Sequence, residues 1–139
     1  MATVIRPEVS QKNKYYIDKH RHYELKHFCL QYPLWKKAHA DCLNSEIPMA
    51  LIDGAKQADG VYDPTSARAL TRAHYSQRME LLERVARDAD KYLWQYILKA
   101  VTEGLSYTYL KTKLDIPCGK DMYYDRYRRF FWLLSEMRD

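Results

Sequence analysis

GLSYTYLKTKLDIPCGKDMYYDRYRRFFWLL, residues 104–134, decides how the rest of the chain is read. Gly104 breaks the helix before it, and the Ser106 hydroxyl is placed to cap the next one. Leu110 and Leu114 lie one helical turn apart and would face a core. Asp115-Ile116-Pro117 interrupts that pattern, because proline disfavours helical geometry in the residue preceding it. Gly119 lets the chain re-enter a helix, along which Tyr123, Tyr127, Phe130, Phe131 and Leu134 recur at helical spacing. A short helix, a tight turn and a longer helix are the layout of a helix-turn-helix, whose second helix is offered to the DNA major groove.

Upstream, the pattern is also helical. A helix is expected over 90–103, with Leu93, Trp94, Ile97, Leu98 and Val101 apolar, as the scaffolding helix of that unit. Arg87-Asp88-Ala89-Asp90 reads as a break followed by a new cap. Asp63-Pro64 marks a helix start, with Asp as N-cap and Pro at the first helical position, and the helix should run to about residue 87. Its apolar positions, including Leu70, Met79, Leu82 and Val85, keep no strict heptad, so a long coiled coil is not indicated. Residues 44–62 hold Pro48, Gly54 and Gly60 with weak periodicity and read as a connector. Near the N-terminus, residues 1–12 form a loose arm and a helix is expected over 17–31. Pro33 either ends that helix or opens a second, short one. The expectation is an all-α protein, with an arm and helical pair over 1–43, a connector over 44–62, and a long helix plus helix-turn-helix over 63–139.

Charge narrows the classes of partner. The formal net charge of +5 suits a polyanion. It is uneven: residues 1–43 hold eight Lys/Arg against four Asp/Glu, whereas residues 44–90 hold six against eight. The 3 cysteines, Cys29, Cys42 and Cys118, form no framework spacing and no signal peptide precedes them, so reduced thiols in a bacterial cytoplasm are expected. No apolar run approaches a membrane span.

Other chemistry fares less well. His20, His22, His27 and Cys29, with His39 and Cys42 downstream, resemble a zinc set in composition only. Residues two apart on a helix splay to different sides, so structural imidazoles are the better reading. Neither Cys29 nor Cys42 sits in a glycine-rich elbow, and no phosphate-binding glycine loop is present. No catalysis, cofactor, metal or small-molecule substrate is expected. Aromatic residues make up 14% of the chain, and packing in a helical core is favoured over a stacking surface for single strands.

The segment ILKAVTEGLSYTYLKTKLDIPCGKDMYYDRYRRFFWLL resembles the C-terminal part of small phage-encoded late transcriptional regulators of Gram-positive bacteria. These are the RinA- and ArpU-type activators, with a helix-turn-helix like region 4 of a sigma factor. The likeness rests on Gly104-Leu105-Ser106, Leu110, Leu114, Ile116 and the 123–131 run, and covers the last third. The N-terminal part, KYYIDKHRHYELKHFCLQYPLWKKA, looks like uncharacterised prophage proteins of gut Firmicutes. The resemblance implies a protein that binds duplex DNA near a phage promoter and assists RNA polymerase, with a homodimer as one form. Lys120, Tyr124, Arg126, Arg128 and Arg129 on the last helix would meet DNA, and Lys111 and Lys113 on the preceding helix would add backbone contacts. Tyr107 and Tyr109 are expected to offer hydroxyls to phosphate. The turn Ile116-Pro117-Cys118-Gly119 departs from the Ser or Thr cap common in such motifs. Residues 119–139 hold five basic and four acidic side chains, so the last helix is not strongly positive. Two other functions fit: a small-terminase-like packaging subunit, and a phage anti-defence protein, such as an anti-CRISPR, bound to a nuclease or its guide RNA.

Overall fold

The computed structural model describes residues 12–43 and 64–138. Among them the chain is all-α, with six helices and no strand: α1 (Lys19–Leu30), α2 (Tyr32–Leu43), α3 (Pro64–Ala89), α4 (Trp94–Glu103), α5 (Tyr107–Lys113) and α6 (Lys120–Met137). The expected arm over 1–11, the connector over 44–62 and the cap at Asp63 lie outside the described residues. Among the described residues, no helix is long and apolar enough to cross a membrane.

Local chemistry sets most helix ends. Asp18 opens α1 by accepting from the His20 amide at 2.9 Å. Pro33 does not stop the chain; it lies in the first turn of α2, where its missing N–H costs no helical bond. The helix expected from residue 90 begins later, at Trp94. Asp90 accepts from the amides of Tyr92 and Leu93, both at 2.8 Å, and so holds residues 91–93 in a turn ahead of α4. Gly104 then ends α4 at φ 69°, a left-handed conformation that glycine adopts without a Cβ clash.

Of the described residues, 12–31 and 82–138 form one compact unit, and 32–43 with 64–81 another. This division differs from the one expected at 1–43, 44–62 and 63–139. Helix α1 sits with α4 and α6 rather than with α2, because its apolar face matches theirs. Leu25, Phe28 and Cys29 of α1 are buried, as are Leu82, Val85 and Ala86 of α3, Ile97 and Val101 of α4, and Phe130, Phe131 and Leu134 of α6. His22 is buried too, with its ring against the edge of Phe131 at 4.8 Å between centroids. Arg21 fastens the far end of α6, donating from Nε to Ser135 Oγ at 3.2 Å and from Nη2 to the carbonyls of Ser135 and Arg138. A cation on the carbonyls of a helix C-terminus is electrostatically favourable.

The second unit buries less. Trp35, Cys42, Ala67 and Thr71 are covered, and the Arg78 guanidinium lies 5.6 Å from the Trp35 ring centre. Leu70, read from the sequence as an apolar position of the long helix, is 64% exposed.

The first unit depends on α6, and Phe131 touches His22, Tyr127 and Phe130. Replacing a buried Phe by Ala removes about 3–5 kcal/mol, a large share of the roughly 5–15 kcal/mol typical of a domain. Phe131→Ala should shift the urea midpoint down by that amount while leaving the m-value unchanged.

Candidate nucleic-acid interface

Helices α5 and α6 are joined by a turn held at several points. Ser106 caps α5, its hydroxyl accepting from the Tyr109 amide at 3.1 Å. After Lys113 the chain turns at Leu114, and Asp115 adopts φ 51°. Asp tolerates this left-handed conformation better than most residues, but it still needs support. The support comes from Ile116, fully buried, whose amide donates to the Leu110 carbonyl at 3.1 Å. Lys111 Nζ donates to the Ile116 carbonyl at 3.3 Å, and Tyr107 donates from its hydroxyl to the Cys118 carbonyl at 2.7 Å. Tyr107 therefore spends its hydroxyl on the turn instead of holding it out for phosphate, whereas Tyr109 remains exposed. Helix α6 starts at Lys120 behind Gly119, and no side chain caps it.

The candidate residues do not share one face. Lys111, Lys113 and Lys120 are exposed around the turn and the first residue of α6. Along α6 the buried stripe of Tyr123, Tyr127, Phe130 and Leu134 separates two flanks. Lys120, Tyr124 and Arg128, spaced four apart, follow one of them. Tyr124 is half-buried, with its ring 5.1 Å from that of Tyr123 and 6.0 Å from that of Tyr127. Arg126 and Arg129 follow the other flank, and both bond within the protein. Arg126 donates from Nε to Asp90 Oδ2 at 2.9 Å and also pairs with Asp125. Arg129 reaches the Asp88 carbonyl and the Tyr15 hydroxyl, each at 3.4 Å, and that contact draws the Tyr15 phenol below its ordinary pKa.

Asp90 is the site residue that the sequence showed only in part. Its capping role is visible as a local pattern, but its bond to Arg126 spans 36 positions and has no local signature. The carboxylate is 8% exposed. Burial opposes its ionisation, yet the amides of Leu93 and Tyr92 and the Arg126 guanidinium outweigh that penalty and hold its pKa below the usual value.

Other chemistry leaves few marks. Among the described residues, no group of three or more His, Cys, Asp or Glu side chains converges as a metal site. Cys29 is fully buried, which raises its thiol pKa far above the ordinary value. Tyr123 and Tyr127 are likewise pushed up by burial. No family model matches the chain, and neither the curated proteins nor the solved structures include a match.

Asp90→Ala removes a cap and one partner of a largely buried pair, so it should cost about 2–3 kcal/mol at neutral pH. Since the folded pKa lies below the unfolded one, this stabilisation is present above the unfolded carboxylate value. It is lost as pH falls through the folded value. Denaturant melts of wild type and variant should therefore differ at pH 7 and converge below about pH 4.

Proposed function

We propose that this protein is a phage or prophage transcriptional regulator that binds duplex DNA through α5, the turn at 114–119 and α6, arranged as a helix-turn-helix. The observation that carries this reading is the fixed turn. Three separate bonds, from Ile116, Lys111 and Tyr107, hold a loop that leaves the first turn of α6 exposed beside Lys111, Lys113 and Lys120. A helix that enters a groove must be held in register by its scaffold, and lysines flanking its start suit phosphates on either side of that groove. The resemblance of residues 96–134 to late-gene regulators supports the same reading and extends it to RNA polymerase as a partner.

The structure changes which residues are offered for the role. Arg126 and Arg129 have acceptors inside the protein, so their charge is partly spent. Lys113 and Lys120 are exposed and engage no acidic partner among the described residues, and they carry most of the proposed phosphate contact, with Lys111 beside them. Tyr124 and Arg128 occupy the flank nearest the bases. The same spending of arginine charge favours the second reading, an anti-defence protein that engages a nuclease by protein–protein contact.

Electrostatic binding to a duplex weakens log-linearly with salt, by about 0.9 in slope for each phosphate neutralised. Wild-type protein should bind a labelled random duplex with a salt-dependent affinity. Lys113→Ala/Lys120→Ala should bind more weakly with a slope smaller by roughly 2, and its thermal melt should stay unchanged. Absence of duplex binding by folded wild-type protein even at low salt would exclude the regulator. Stoichiometric inhibition of a nuclease by that same protein would then establish the anti-defence alternative.

A further inference from the structure

Helices α1, α4 and α6 leave a pocket of about 200 Å³ among them. Its walls include Leu30 of α1, Val101 of α4, Leu105, and Tyr123, Tyr124 and Phe131 of α6, all within one compact unit. Size narrows the occupant first. A cavity of about 150 Å³ holds benzene, whereas drug-sized ligands occupy roughly 300–1,000 Å³. The pocket therefore fits one six-membered ring with one or two small substituents and is too small for a nucleotide. Aromatic and aliphatic walls favour a flat, apolar body.

Two polar features break this lining. Tyr123 is 1% exposed, and its hydroxyl is buried with no hydrogen-bond partner. Such a group carries a desolvation penalty that a ligand oxygen would relieve. Lys26 also lines the pocket, is half-buried, and takes part in none of the ion pairs among the described residues. An ammonium beside an apolar cleft selects an anion, whose charge stays hydrated at the mouth because burying it would be costly.

We propose that this pocket binds a small aromatic carboxylate, with the ring between α1, α4 and α6, the carboxylate at Lys26 and a ring hydroxyl at Tyr123. The ligand is bound without being transformed. The site does not depend on whether α6 contacts DNA, and its test uses no DNA.

The probe is 4-hydroxybenzoate, titrated into the full chain and followed by amide chemical shifts. Saturable binding is expected with a Kd on the order of 0.1–1 mM, in keeping with a ligand of this size. The neutral isostere 4-hydroxybenzamide should bind about fivefold more weakly, the discrimination one partly exposed ion pair supplies. Lys26→Gln should erase that difference. Tyr123→Phe should reduce 4-hydroxybenzoate to the affinity of benzoate, while its melting temperature stays level or rises because the unpartnered hydroxyl is gone. Absence of saturable binding to folded wild type would overturn the proposal. So would equal binding by wild type and both variants, and a fall in melting temperature for Tyr123→Phe would show that the hydroxyl is already satisfied and would overturn its assignment.

Discussion

Burial of the aromatic stripe on α6 is the constraint on which the larger unit rests. Tyr123, Tyr127, Phe130 and Phe131 are all at most 9% exposed. A buried aromatic side chain removes roughly 150–250 Å² from water, worth about 4–6 kcal/mol each as an upper bound. An exposed ion pair such as Lys99–Glu103 contributes about 0–1 kcal/mol. The stripe therefore fixes the rotation of α6 about its own axis, and every other side chain on that helix takes the flank that remains. His22, Leu25 and Phe28 of α1, and Ile97 and Val101 of α4, supply the apolar surface that covers it.

Polar contacts then select one arrangement from those the apolar stripe would allow. Hydrophobic contact is weakly directional, so α6 could slide along its partners at small cost. Asp90 removes that freedom at one point, since a single carboxylate satisfies two amides of the turn before α4 and the Arg126 guanidinium. At the other end Arg21 holds the last carbonyls of α6, while Arg138 lies 4.1 Å over the Phe28 ring and pairs with Glu24. Leaving either acceptor unpaired would cost more than the bond contributes when intact, which makes these contacts better at specifying register than at adding stability.

Local signals in the sequence carried much of this architecture. The Ser106 cap, the glycine end of α4, the interruption at Asp115-Ile116-Pro117 and the spacing of the α6 stripe each depend on a few neighbouring residues, and each appears where expected. What could not be read was set by distant partners. The bond from Arg129 to Tyr15 spans 114 positions, so nothing near Arg129 distinguishes a guanidinium engaged at home from one held out to a phosphate. The grouping of α1 with α4 and α6 is hidden for the same reason, because the apolar face of a short helix does not name the face it meets. Charge counted along a helix is therefore a poor guide to charge on offer, and here it pointed to arginines where the exposed cations are lysines.

Position along α6 also separates two kinds of aromatic residue. Its N-terminal half carries Tyr123, Tyr124 and Tyr127, and its C-terminal half carries Phe130 and Phe131. Phenylalanine would serve packing equally well at 123, and without a hydroxyl it would avoid a penalty of about 1–3 kcal/mol for a buried, unpartnered group. The three tyrosines coincide with the pocket, while Phe130 lies in the dry interior. A hydroxyl kept at a position where stability alone disfavours it is the kind of local inconsistency that marks a functional site. On this chain that inconsistency falls on the wall of the pocket rather than on the exposed flank of α6. Recognition of a small ligand and contact with a macromolecule would then draw on different sides of one helix.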